Sequence, residues 1–365
     1  CYWADEYHID GFRFDLVGLL DTDTINEIVT EVHKNHPNVI FYGEGWTLDT
    51  EVTKEGYLLA TQTNSRETPG FAYFSDNIRD VIKGHVFYTD EKGYVTGATG
   101  LEEEVEKCFM GLPEWCESPT QTVNYASCHD NLTLMDRIAR GTPEAKREDR
   151  IKMNNLAAAI YMTSQGIPFL QAGEEMLRTK VDSNGGFVEN SYDSPDKVNS
   201  IKWATLEEEE YARVFEYYKG LIAFRKAHGA LRFTDAKEVR EHVAAVDGLE
   251  PNVTAFAIQG GANGETAEEL FVIFNPNTEE TWVQLPEGTW NVCINGEQAG
   301  TDPIETITTG TAKVSPISAM VLVKGEGEAA ETAKPEKNNF RTVGIVAAVA
   351  AVGAVIVGIF HKRKK

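Results

Sequence analysis

Three acidic segments, each directly after a β-rich run, hold the residue types that could do chemistry. In Asp10-Gly11-Phe12-Arg13-Phe14-Asp15, a period of two puts Phe12 and Phe14 on one face and Arg13 and Asp15 on the other. Arg13 favours the ionised form of Asp15, which suits nucleophilic attack or stabilisation of a cation. A structural ion pair at a strand end would use the same two residues. In Tyr42-Gly43-Glu44-Gly45-Trp46, the glycines permit close approach and Trp46 offers a flat surface for a sugar face. An acid beside a large aromatic is partly desolvated, which moves its pKa toward that of a general acid. Gly-Glu-Gly also occurs in ordinary turns. In Ser127-Cys128-His129-Asp130-Asn131, His129 can bond a hydroxyl and Asp130 can accept two. A lone His is more often a packing residue. A Ser127-His129-Asp130 triad is disfavoured, because adjacent residues rarely form one and there is no nucleophile elbow. Zinc is disfavoured too, since no second His or Cys stands at ligand spacing from His129.

These segments need elements to position them. Across residues 1–230, short β runs alternate with helical patterns, with helices expected around Thr24–His33, Asp76–Lys83, Arg150–Ser164 and Leu206–Arg225. That alternation predicts a parallel sheet of about five βα units, too few to close an eight-stranded barrel, with chemistry at the carboxyl ends of the strands. Residues 231–324 carry short β-rich runs and close turn signals, the pattern of a β-sandwich. Residues 325–341 read as a flexible linker. The run 342–360 has no charged residue and predicts a single transmembrane helix, since about 20 apolar residues span the roughly 30 Å hydrocarbon core. The basic tail 361–365 would then be cytoplasmic and the rest held outside the cell surface, with the lipid bilayer as a partner. The net charge of −23 argues against nucleic acid as a partner. Five scattered cysteines are no disulfide framework, and Cys108 and Cys116 suit a pair or two free thiols equally.

Taken together and in order, Gly11–Asp15, Gly43–Trp46 and Ser127–Asn131 resemble the second, third and fourth signature regions of the α-amylase family of glycoside hydrolases. The segments 167–180 and 190–199 narrow the resemblance to type I pullulanases. The resemblance implies an α/β fold, the carboxy-terminal part of an incomplete (β/α)8 TIM barrel with about strands four to eight, followed by the family's sandwich. It implies retaining hydrolysis of α-1,6-glucosidic branch links in pullulan, starch or glycogen-type α-glucans. The alternatives are an isoamylase-like or α-1,4-acting member, or a non-catalytic glucan-binding surface protein. By carry-over Asp15 is the nucleophile, Glu44 the acid and then base, and Asp130 the third carboxylate. Arg13 orients Asp15, and Trp46 and His129 contact sugar. Arg178, Asn190, Tyr192, Asp196 and Asn199 would line the cleft, although a charged residue there could equally brace a loop. No cofactor is required. The resemblance makes a bound Ca2+ possible, but no Asp-x-Asp-x-Asp-Gly loop is present to support a specific site. The first signature region has no counterpart, so the 365-residue chain alone is expected to be inactive, with exposed strand edges.

Overall fold

The computed structural model describes residues 1–48, 56–308 and 310–325. Helix α1 (Tyr2–Tyr7) leads into strand β1 (Gly11–Phe14), and α2 (Thr22–His33) follows. Asp21 starts α2 by accepting the Thr24 amide at 2.8 Å. Ile25, Val29 and Val32 then recur at helical spacing and bury one stripe. The sheet continues with β2 (Ile40–Gly43), β3 (Ala72–Phe74), β4 (Thr122–Asn124) and β5 (Ile167–Pro168). Between or after these strands come α3 (Asp76–Lys83), α4 (Glu102–Phe109), α5 (Leu134–Gly141), α6 (Arg147–Thr163), α7 (Asp196–Asn199) and α8 (Glu209–Ala227).

The five strands are parallel and pair in chain order. Their carboxyl ends therefore open on one side, where the three acidic segments lie. β1 and β5 each have one strand neighbour among the described residues, so the sheet is an open arc.

After α9 (Ala236–His242) the chain becomes all-β: β6 (Val243–Ala245), β7 (Thr254–Gln259), β8 (Glu269–Asn275), β9 (Thr281–Gln284), β10 (Trp290–Ile294), β11 (Glu305–Ile307), β12 (Thr311–Val314) and β13 (Ser318–Lys324). Six strands form one sheet in the order β11-β10-β13-β8-β7-β6, and β12 and β9 form a second. Val283, Ala312 and Val314 of the small sheet, with Leu285 just after β9, pack on Phe271, Ile273, Trp290 and Leu322 of the large one. The opposite face of the large sheet, with Phe256, Ile258, Val272 and Phe274, shares a core with α4, α6 and α8.

One part of the expected fold is corrected. Among the described residues no helix is long and apolar enough to cross a membrane, so the single transmembrane helix is removed from the fold class. The longest described helix, α8, begins with Glu209 and Glu210 and ends with Arg225 and Lys226, charges that a bilayer core would exclude. The run 342–360 behind that expectation, with the linker residues 326–341 and the tail 361–365, lies outside the described residues. The bilayer as a partner loses its support with the helix.

Candidate active site

The first two acids are brought together by one guanidinium. Arg13 Nη1 bonds Asp15 Oδ1 at 2.8 Å, and its Nη2 lies 3.2 Å from Glu44 Oε2. This follows from the register, in which Phe12–Phe41, Arg13–Tyr42 and Phe14–Gly43 are partners, so both strands end at one level. The glycines around Glu44 are needed for that approach. A Cβ on Gly43 would sit 2.5 Å from the Phe14 carbonyl oxygen, and one on Gly45 2.3 Å from the Tyr73 ring. Leu16 holds a left-handed φ of 44° and donates its amide to Glu44 Oε2 at 3.2 Å. Asp15 is exposed, whereas Glu44 is buried.

Trp46 is half-buried against the inner cluster of Phe74, Val123 and Tyr125, with the Arg79 guanidinium 5.6 Å from its ring centroid. Arg79 is held by both carboxylate oxygens of Asp80 and by the Tyr125 hydroxyl. Cys128 packs on the same cluster. Burial pushes its thiol up, and its Sγ lies 3.9 Å from the backbone carbonyl of Asp130. His129 and Asp130 are exposed, 3.5 Å apart at Nε2 and Oδ2.

His129 and Asp130 line a cavity of about 230 Å³ together with Arg178, Lys180, Asn190, Tyr192 and Asn199. Within it the polar groups divide. Arg178 gives its guanidinium to the carbonyls of Ala172 and Asn199 at 3.0 and 2.6 Å. Asn199 gives its amide to those of Ser191 and Ser194. Both therefore brace the loop. Tyr192 is 87% exposed and free to meet a ligand. Asp196 opens α7 on the surface and is not among the residues lining this cavity.

Sequence reasoning missed three buried charged groups around these acids. Lys180 is 1% exposed, and its Nζ donates to the carbonyls of His129, Asn131 and Glu189 at 3.4, 2.6 and 3.2 Å. Glu174 accepts from Ser127 Oγ at 2.6 Å and from the Tyr161 and Tyr218 hydroxyls at 2.7 and 3.0 Å. Burial raises its pKa against those three donors. Lys83 is buried at the end of α3, and desolvation, with Arg79 nearby, lowers it to about 8. Glu174 and Lys180 fall in the segment 167–180 that carries the resemblance, which was the one available signal; Lys83 gave none. Cys108 and Cys116 are both buried free thiols. Among the described residues no group of three or more His, Cys, Asp or Glu is arranged to hold a metal.

A family model described as "Alpha amylase, catalytic domain" matches residues 1–204, more than half of the chain. The chain belongs to the alpha-amylase family. A second model, "Pullulanase, all-beta domain", matches residues 239–298. Its relatives include pullulanases, and an isoamylase of Flavobacterium sp is 25% identical over 80% of this chain and 44% of its own length. The pullulanase of Bacillus subtilis (strain 168) is 32% identical over 291 residues, covering 78% of this chain and 39% of that protein. Pullulanase A of Streptococcus pneumoniae serotype 2 is 30% identical, over 66% of this chain and 22% of its own length. Among solved structures, pullulanase from Bacillus acidopullulyticus superposes with a TM-score of 0.82 at 36% identity, covering 88% of this chain and 39% of that one. That from Paenibacillus barengoltzii, in complex with maltohexaose and alpha-cyclodextrin, gives 0.80 at 39% identity, over 88% and 49%. The chain thus spans less than half the length of these relatives.

Proposed function

We propose that the protein is a retaining glycoside hydrolase that cleaves α-1,6-glucosidic branch links in α-glucans. The observation that carries this reading is the single Arg13 guanidinium bridging Asp15 and Glu44 at neighbouring strand ends. A retaining displacement needs two carboxyl groups close together on opposite sides of one anomeric carbon. The pullulanase names of the relatives, one solved with maltohexaose, support the substrate class.

In the first step Asp15 Oδ2, the oxygen not held by Arg13, bonds the anomeric carbon as the C1–O6 bond breaks. Glu44 gives its proton to the departing oxygen. In the second step water attacks C1 and loses its proton to Glu44, and Asp15 departs with the bond electrons. Leu16 and Arg13 hold Glu44 Oε2, which leaves its other oxygen to carry the proton. Asp130 and His129 take hydroxyls of the sugar being cleaved, and Trp46 stacks on its neighbour. Tyr192 contacts the chain further out, with Asn190 beside it. Arg178 and Asn199 act by bracing that wall.

The test is made in the full-length protein. Asp15→Asn and Glu44→Gln should each abolish release of maltotriose from pullulan, with linear amylose left uncut by the parent enzyme. Retained pullulan cleavage in either variant would end the assignment.

A further inference from the structure

The outer face of the small sheet carries an aromatic that the fold does not use. Along β9 Thr281 and Val283 face the core while Trp282 and Gln284 face out, and Trp282 is 60% exposed. A Trp is usually well buried, so a large ring left in water is the informative exception. Register sets Lys313 of β12 opposite it. The Lys313 Nζ lies 5.7 Å from the ring centroid and 2.6 Å from Glu280 Oε2, which braces the ring and neutralises that carboxylate. Beside the ring is a cleft of about 420 Å³ lined in part by Glu250, Asn277, Glu279, Glu280, Thr281 and Trp282. Thr281 contributes to that wall from the strand's inner side, with its side chain buried.

We propose that this cleft is a second, non-reacting α-glucan site, in which Trp282 stacks on a glucose ring and the carboxylates and amide at its edge accept sugar hydroxyls. This rests on the α-glucan reading of the barrel mouth. The volume lies in the roughly 300–1,000 Å³ range of small-ligand sites. A neutral, hydroxyl-rich chain fits the chemistry better than the charged occupants. The net charge of −23 opposes an anionic one. A cationic peptide would meet the Lys313 ammonium beside the ring, whereas a neutral polyol uses the acceptors as they stand. With both sites on one polypeptide, a long glucan held at Trp282 is presented to the barrel mouth at raised effective concentration.

The experiment is electrophoresis of the full-length protein through native gels containing amylopectin, comparing the parent with Trp282→Ala, Trp282→Tyr and Asp130→Asn. Trp282→Ala should weaken retardation roughly threefold to tenfold and Trp282→Tyr should keep most of it, as expected for ring stacking. Asp130→Asn should leave a residual retardation, and cleavage of a short branched oligosaccharide should be unchanged in Trp282→Ala. Parent-like retardation of Trp282→Ala overturns the second site and leaves the barrel-mouth reading intact. So does capture of a protein by this face with glucan binding unaltered. No retardation of any form, joined to no cleavage of pullulan, brings down both.

Discussion

At the residue scale, Arg13 has a double duty that its neighbours do not share. Its two terminal nitrogens divide between Asp15 and Glu44, a task for a planar fork that a lysine ammonium cannot copy. Arg13→Lys should therefore lower kcat for pullulan roughly tenfold to hundredfold, the equivalent of about 1.5–3 kcal/mol for a charged hydrogen bond. Because the side chain is only partly buried and spans no core, the melting temperature should stay within about 2 °C. Parent-like turnover in the lysine variant would show that the bridge does not matter to the chemistry. Arg13 beside Asp15 was readable from the alternation of strand residues. Its second contact was not, because Glu44 lies 31 positions away and reaches Arg13 only through the β1–β2 register. The left-handed Leu16 was equally hidden, since no leucine signals a positive φ.

At the scale of elements, the loop ends are tied down by groups that composition alone assigns to the surface. Glu174, just after β5, joins Ser127 at the end of β4 to Tyr161 of α6 and Tyr218 of α8. A glutamate in a polar loop reads as solvated, and burial is decided by those distant donors. The strand runs, in contrast, were legible because they are apolar and bounded by turn residues. β5 covers only Ile167 and Pro168 of its run, with Phe169 donating to the Asn124 carbonyl of β4 as the last bond of the ladder. Replacing Glu174 with Gln removes acceptor capacity from three buried donors and should cost about 1–3 kcal/mol. The pH dependence has a definite sign. A carboxyl whose folded pKa is raised binds its proton more tightly in the native state, so its contribution is full below the unfolded value and is lost as pH rises through the folded one. The gap in melting temperature between parent and Glu174→Gln should thus narrow as pH rises from about 4, near the unfolded glutamate value, toward neutrality. A gap that widens over that range would mean that Glu174 is not held in its protonated form.

At the scale of the molecule, the barrel part and the sandwich were separable by composition, yet their packing is continuous. Alternating βα units and a run of short strands look like two independent cores when read along the chain. The β-rich runs hid the joint because β7 and β8 are apolar on both faces, a pattern that tells of double burial without naming the second partner. The structure supplies that partner. Phe109, at the end of α4, stacks on Phe256 of β7 with centroids 3.7 Å apart and meets the edge of Phe274. The Tyr94 hydroxyl bonds Thr254 and the carbonyl of Phe274 from the same side. Since this interface is part of one hydrophobic core and not a wet domain contact, the two parts should unfold together. Phe109→Ala leaves a cavity in that joint and should cost about 3–5 kcal/mol. Scanning calorimetry of the parent should show a single transition for both parts, and the variant should move it downward as one peak. A sandwich transition that stays at the parent temperature while the barrel melts earlier would mean that the shared core does not couple them.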